Sequence, residues 1–147
     1  MASEAEKGRV EVSIFCRFAE AAGLDYRDVE KQLPEGGKPD IRCRLNEHVT
    51  YFELTEACSE DLAKAIAGAG RVDSEALARL TDYTSATYLK KIAKRYQVSE
   101  PVELLIYNIG RTLLPDKVII DNLRKLAQRD KGQFRRVWYF GDSVVQL

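Results

Sequence analysis

Residues 39–57, PDIRCRLNEHVTYFELTEA, set two acids into what reads as a β-hairpin. Ile41, Cys43 and Leu45 alternate with Asp40, Arg42 and Arg44, the period-two pattern of a half-buried strand. Asn46-Glu47-His48 makes a short connection. Val49 to Ala57 follows as a second strand, rich in the β-formers Val49, Thr50, Tyr51, Phe52, Leu54 and Thr55. An acid at the start of the first strand, Asp40, and one on the second, Glu53, can then converge on one face. Two close carboxylates are costly to keep ionised unless a cation lies between them. A hard dication such as Mg²⁺ or Mn²⁺ prefers such oxygen ligands. It can activate a water and stabilise the charge that develops on a phosphate during hydrolysis.

Upstream of the hairpin, Val10, Ile14, Phe15, Phe18, Ala21 and Ala22 recur at helical spacing, which predicts an amphipathic helix from Glu6 to Ala22 with Gly23 as its stop. Tyr26 to Gln32 is short and loosely alternating, as an edge strand would be, and Pro34-Glu35-Gly36-Gly37 is a turn. Downstream, Ser59 caps a helix that stops near Gly68 or Gly70, and Asp73 to Leu80 forms another short helical piece. A helix over Ser85–Tyr96 carries Tyr88, Leu89, Ile92, Ala93 and Tyr96 on one stripe. Val102 to Ile109 is a nearly continuous apolar run, the mark of a strand buried on both faces. Pro115 opens a helix with Val118, Ile119, Leu123 and Leu126 inward and Gly132 past its end. Arg136 to Phe140 reads as the last strand. This order predicts an α/β protein with a mixed central sheet flanked by helices. Residues 1–147 contain no repeat and no linker, so one domain is expected.

Composition narrows the function. Lys plus Arg and Asp plus Glu each number 23, so the formal net charge is zero. That balance excludes a protein that holds nucleic acid by bulk charge, though it leaves room for a local basic face. Cys16, Cys43 and Cys58 show no CxxC spacing, and the single histidine, His48, completes no zinc set. Unpaired thiols in apolar segments suit burial in a reducing cytosol. The opening MASEAEKGRVEV lacks the basic-then-apolar order of a signal peptide, and no apolar run approaches bilayer-spanning length. A cytoplasmic protein with no membrane contact is the expectation.

The pattern Pro39-Asp40, hairpin, Glu53, helix, hydrophobic strand resembles the PD-(D/E)XK nuclease superfamily. The likeness spans roughly residues 6 to 109. It implies a restriction-endonuclease-like αβββαβ core and metal-dependent hydrolysis of phosphodiesters, with DNA rather than RNA as partner. It also implies Mg²⁺ or Mn²⁺ held by Asp40 and Glu53, with Glu11 on the first helix as an auxiliary acid. The family's lysine would fall at position 55, where this chain has Thr55. Some divergent members supply the cation from the helix after the hairpin, and Lys90, Lys91 and Lys94 are the candidates here, with Lys91 and then Lys94 preferred. They share a helical face in pairs, three and four residues apart.

Less specific readings stand beside these. Asp40 is also a turn-starting acid after a proline. Glu53 could lie on an exposed sheet face, although an unpaired carboxylate in so apolar a strand would be expensive if buried. The Lys90, Lys91, Lys94, Arg95 run suits a solvated helix face, and Trp138-Tyr139-Phe140 suits strand-core packing. Arg135-Arg136 could extend a basic edge, and His48 reads as a turn residue. Thr55 and the neutral net charge favour a second function, a catalytically inactive nuclease-like fold that binds nucleic acid or protein. In a third, an unrelated α/β interaction protein, the motif is coincidence. The small size leaves room for a homodimer.

Overall fold

A computed structural model describes residues 3–33, 35–57, 74–112 and 114–147, the side chains of residues 74–83 excepted. The elements are α1 (Glu4–Ala21), β1 (Tyr26–Lys31), β2 (Ile41–Leu45), β3 (His48–Glu56), α2 (Ser74–Ala93), β4 (Val102–Tyr107), α3 (Asp116–Arg129), β5 (Phe134–Phe140) and β6 (Val144–Gln146). The six strands form one mixed sheet in sequence order, β1-β2-β3-β4-β5-β6. Strands β1 to β3 are antiparallel neighbours, β4 runs parallel to β3 and β5 parallel to β4, and β6 closes the far edge antiparallel to β5. The two parallel steps demand crossovers, and successive right-handed crossovers running in one direction place their helices on the same side. Accordingly α2 and α3 pack on one face through Tyr88, Tyr96, Ile119, Leu123 and Ala127. The other face is covered by α1 through Ile14, Phe15, Phe18 and Ala19.

Local chemistry explains the helix ends. Ser3 and Glu6 form a reciprocal capping box at the start of α1, supplying partners for two N-terminal N–H groups. Gly23 follows the end of the helix with φ +70°, a conformation glycine adopts without a Cβ clash. In the β2–β3 hairpin the connection is two residues rather than three. Asn46 and Glu47 both have positive φ, as a primed turn requires, and His48 already pairs with Leu45. Strand β1 is an edge, as predicted, and its register breaks between Arg27 and Glu30, where Asp28 has φ +55°. Such a bulge twists an edge away from further pairing.

Several expectations need correction. The segments 73–80 and 85–96 are not two helices: residues 74–93 form one, and it ends at Ala93 rather than Tyr96. The cause is Gln133, whose side chain accepts from the Tyr96 N–H at 2.8 Å and donates to its carbonyl, drawing that backbone out of the helical ladder. The stripe is also narrower than its spacing implied, since Leu89 is half exposed and Ala93 is exposed while Tyr88 and Tyr96 are buried. Val10 is likewise exposed on α1. Strand β4 stops at Tyr107, before the exposed Ile109. Strand β5 is not the last, because three residues of β6 pair with it. The helix expected from Ser59, and Cys58, lie outside the described residues. Cys43 is fully buried and Cys16 half-buried, and burial pushes the Cys43 thiol up to about 12. Among the described residues no helix is long and apolar enough to cross a membrane.

Candidate active site

Alternation along β2 and β3 decides where the acids go. Ile41, Phe52 and Leu54 point toward α1, so Glu53 points to the opposite face, against Tyr96. Asp40, just before β2, sits at the strand end, where it reaches Glu53 on one side and Lys31 on the other. The two are tied together by their backbones. The Asp40 N–H donates to Glu53 Oε1 at 3.2 Å, and the Leu54 N–H donates to Asp40 Oδ2 at 2.8 Å. Glu53 is 4% exposed, so it does not lie on an open sheet face.

A buried carboxylate needs partners, and α2 together with the segment just past its end supplies them. Lys91 Nζ donates to Glu53 Oε2 at 3.1 Å and the Tyr96 hydroxyl donates to the same oxygen at 2.9 Å. Lys94 Nζ lies further off, at 3.7 Å. The Lys91 side chain is 22% exposed and that of Lys94 57%, so Lys91 is the cation held in the site and Lys94 stands at its mouth. Lys90 makes no ion pair among the described residues. Tyr96 was legible only as a member of an apolar stripe, and nothing in its spacing marked its hydroxyl as a ligand of Glu53.

A second cation was missed altogether. Lys31, at the end of β1, places Nζ 3.4 Å from Asp40 Oδ1 and 3.3 Å from Glu11 Oε2 on α1. The latter contact is an ion pair out of hydrogen-bond alignment, since among the described residues Glu11 Oε2 has no aligned hydrogen-bond donor. Gly8 explains how the lysine stem fits: a Cβ there would lie 3.3 Å from Lys31 Cγ. A glycine inside a helix costs roughly 1 kcal/mol relative to alanine, so the seat for Lys31 carries a stability cost. Glu11 therefore meets Asp40 with Lys31 between them.

The acids feel one another. Burial first, and then the Asp40 charge, raise Glu53 above the ordinary carboxylate range, with Lys91 opposing. Burial and Asp40 raise Glu11 in the same way. Burial pulls the Lys31 ammonium down, but Asp40 and Glu11 outweigh it and leave its pKa raised. A carboxyl with a raised folded-state pKa contributes stability below its unfolded value, near 4.5, and loses it as pH rises through the folded value. Glu53→Gln, which removes that titration, should therefore be more stable than the native protein at pH 7 in EDTA. The gain should shrink to nothing near pH 4. Paired thermal melts across that range check it, and a gain that grows toward acid would contradict the sign.

Gly37, Lys38, Asp40, Glu53, Lys94, Arg95 and Tyr96 line a cavity of about 210 Å³ over the acid pair. Among the described residues no group of three or more His, Cys, Asp or Glu side chains is placed to hold a metal ion. Two carboxylates are enough for a hydrated dication, because Mg²⁺ keeps several waters and binds through one or two carboxylates plus substrate phosphate. The Asp40–Glu53 donors are all oxygen and their mutual repulsion favours an added positive charge, so the pair fits such an ion. The chain matches no protein-family model, no curated protein and no solved structure.

Proposed function

We propose that the protein is a metal-dependent nuclease that hydrolyses phosphodiester bonds in DNA, with Asp40 and Glu53 holding Mg²⁺ or Mn²⁺. The observation that carries this reading is Lys91 Nζ at 3.1 Å from the buried Glu53 carboxylate. It brings a sheltered cation to the acid pair from the helix, which offsets the absence of a lysine at Thr55. The order α1, β1–β3, α2, β4, with helices on both faces, supports a restriction-endonuclease-like core as the framework.

The bound metal would supply Lewis-acid activation of water and of the phosphoryl oxygen. The chain's own residues set the geometry. Asp40 is oriented by the Leu54 N–H and Glu53 by the Asp40 N–H, so the two carboxylates keep a fixed relation. Tyr96 and Lys91 fix Glu53 Oε2 from the other side. Lys91, held on Glu53, would be the side chain that offsets negative charge gathering on the phosphoryl oxygens. As the new P–O bond forms, the attacking water gives up a proton to solvent, the ester bond to the leaving oxygen breaks, and that oxygen takes up a proton from solvent. Glu11 and Lys31 brace Asp40 from the α1 side.

Titration of the purified protein with Mn²⁺ and Mg²⁺ by calorimetry, followed by incubation with plasmid and single-stranded DNA, tests the proposal. The expected result is binding of a dication and nicking that requires it. Binding without cleavage would favour the inactive, ligand-binding alternative. No binding of either metal would end the nuclease reading.

A further inference from the structure

Above the buried acids the cavity changes sign. Lys38 lies on the turn that leads into β2, and Lys94 and Arg95 lie just past the end of α2; all three are exposed and line the same opening. Lys94 is shared with Glu53, whereas neither Lys38 nor Arg95 is neutralised by an acid among the described residues. Cations just beyond a helix C-terminus are electrostatically cheap, which accounts for Lys94 and Arg95 but not for Lys38. Lys38 is brought there by the fold. Gly36 and Gly37 have φ +90° and +69°, and the Gly37 carbonyl accepts from the Gln97 N–H at 2.9 Å. A Cβ on Gly37 would meet Gln97 Cγ at 2.9 Å, so the turn lies close against the segment that carries Arg95. That segment is itself held through Tyr96, whose N–H donates to the Gln133 side chain and whose carbonyl accepts from it. Two braced walls thus present cations to each other over a pair of carboxylates.

We infer that Lys38 and Arg95 form a phosphate-gripping mouth that holds a nucleic-acid strand by its backbone without reading its bases. The inference rests on the proposed phosphodiester site and adds how its substrate is bound. The cavity, about 210 Å³, is smaller than the roughly 300–1,000 Å³ of small-molecule pockets, so it admits one linkage and leaves the bases outside. Among the described residues of its lining, Tyr96 is the one aromatic, and it is buried with its hydroxyl on Glu53, so it offers no stacking face. Recognition by phosphate contacts alone is sequence-independent and governed by counterion release.

The test uses the full-length protein in EDTA, where no cleavage can occur. Anisotropy of two short fluorescent duplexes of unrelated sequence is followed against KCl concentration for three proteins. These are the native chain, Lys38→Ala/Arg95→Ala, and a control with the same charge change on α3, Lys117→Ala/Lys125→Ala. The mouth variant should lose affinity equally for both duplexes, and its salt slope should fall by about two, one per lost phosphate contact. The control should keep the native slope. Native protein that binds neither duplex, a mouth variant that behaves like the control, or a loss confined to one sequence would each overturn the inference. A native-like circular dichroism spectrum and thermal melt for the mouth variant exclude misfolding as the cause. Because the measurement contains no metal, a protein that binds as expected yet never cleaves keeps the mouth and refutes only the nuclease. One that cleaves with Mn²⁺ while the mouth variant keeps the native slope refutes only the mouth.

Discussion

Lys91→Met should lower metal-dependent nicking of plasmid DNA by about two to four orders of magnitude, the usual worth of a positioned proton-transfer or charge-stabilising group. Its metal isotherm should survive, because Lys91 donates to Glu53 and does not itself supply an oxygen ligand. Glu53→Gln should abolish nicking to the same extent and weaken the isotherm as well. That variant should nonetheless be the more stable protein at pH 7, since the buried charge is gone. Lower activity with higher stability is the pattern expected where a site holds a group the fold would rather neutralise. Lys94→Ala, which removes the more exposed and more distant ammonium, should cost far less. Rates measured at saturating Mn²⁺ separate these cases. Equal losses for Lys91→Met and Lys94→Ala would show that neither lysine has a specific role.

The largest stability effect is expected away from the site, at Glu103. This carboxylate is fully buried in β4. Arg136 grips it with Nε at 2.9 Å and Nη2 at 2.8 Å, the Trp138 indole N–H donates to it at 2.7 Å, and Arg135 approaches from the more exposed side. Arg135-Arg136 therefore does not extend a basic edge; it neutralises a charge within the sheet. Replacing both arginines with methionine leaves that charge uncompensated and should cost about 3–5 kcal/mol in urea unfolding. Arg136→Met should account for most of it, since the Arg135 side chain is 47% exposed and its attraction is screened. Adding Glu103→Gln to the double variant should recover much of the loss. No recovery would mean that packing of the arginine stems, rather than charge, sets the cost.

The uneven legibility of these features follows from their physics. Strand periodicity is local, so the parity that sends Glu53 to one face and Ile41, Phe52 and Leu54 to the other can be read from the residues. So can the two-sided burial of β4, whereas the capping box of α1 was passed over and the helix begins at Glu4, not Glu6. The apolar run of β4 also carried an overlooked signal: a glutamate amid Val102, Leu104, Leu105 and Ile106 demands a buried partner, and Arg135-Arg136 was the obvious source.

Partnership across sequence distance is a different matter. Lys90, Lys91 and Lys94 differ little as a helical run, and the choice among them turns on how far α2 rotates above β3. Tyr96 donates to Glu53 from a backbone that is held off the helix by Gln133, brought close by α3 and β5. Lys31 reaches Asp40 with its stem laid against Gly8, where a Cβ would crowd it at 3.3 Å. The 39–57 hairpin by itself thus determined that Asp40 and Glu53 meet at one end of a strand pair, since antiparallel pairing sets the start of one strand against the far part of the next. Which cations answer them was decided by the tertiary structure, because those contacts depend on the placement of α1, α2 and the 35–39 turn, and no local period encodes it.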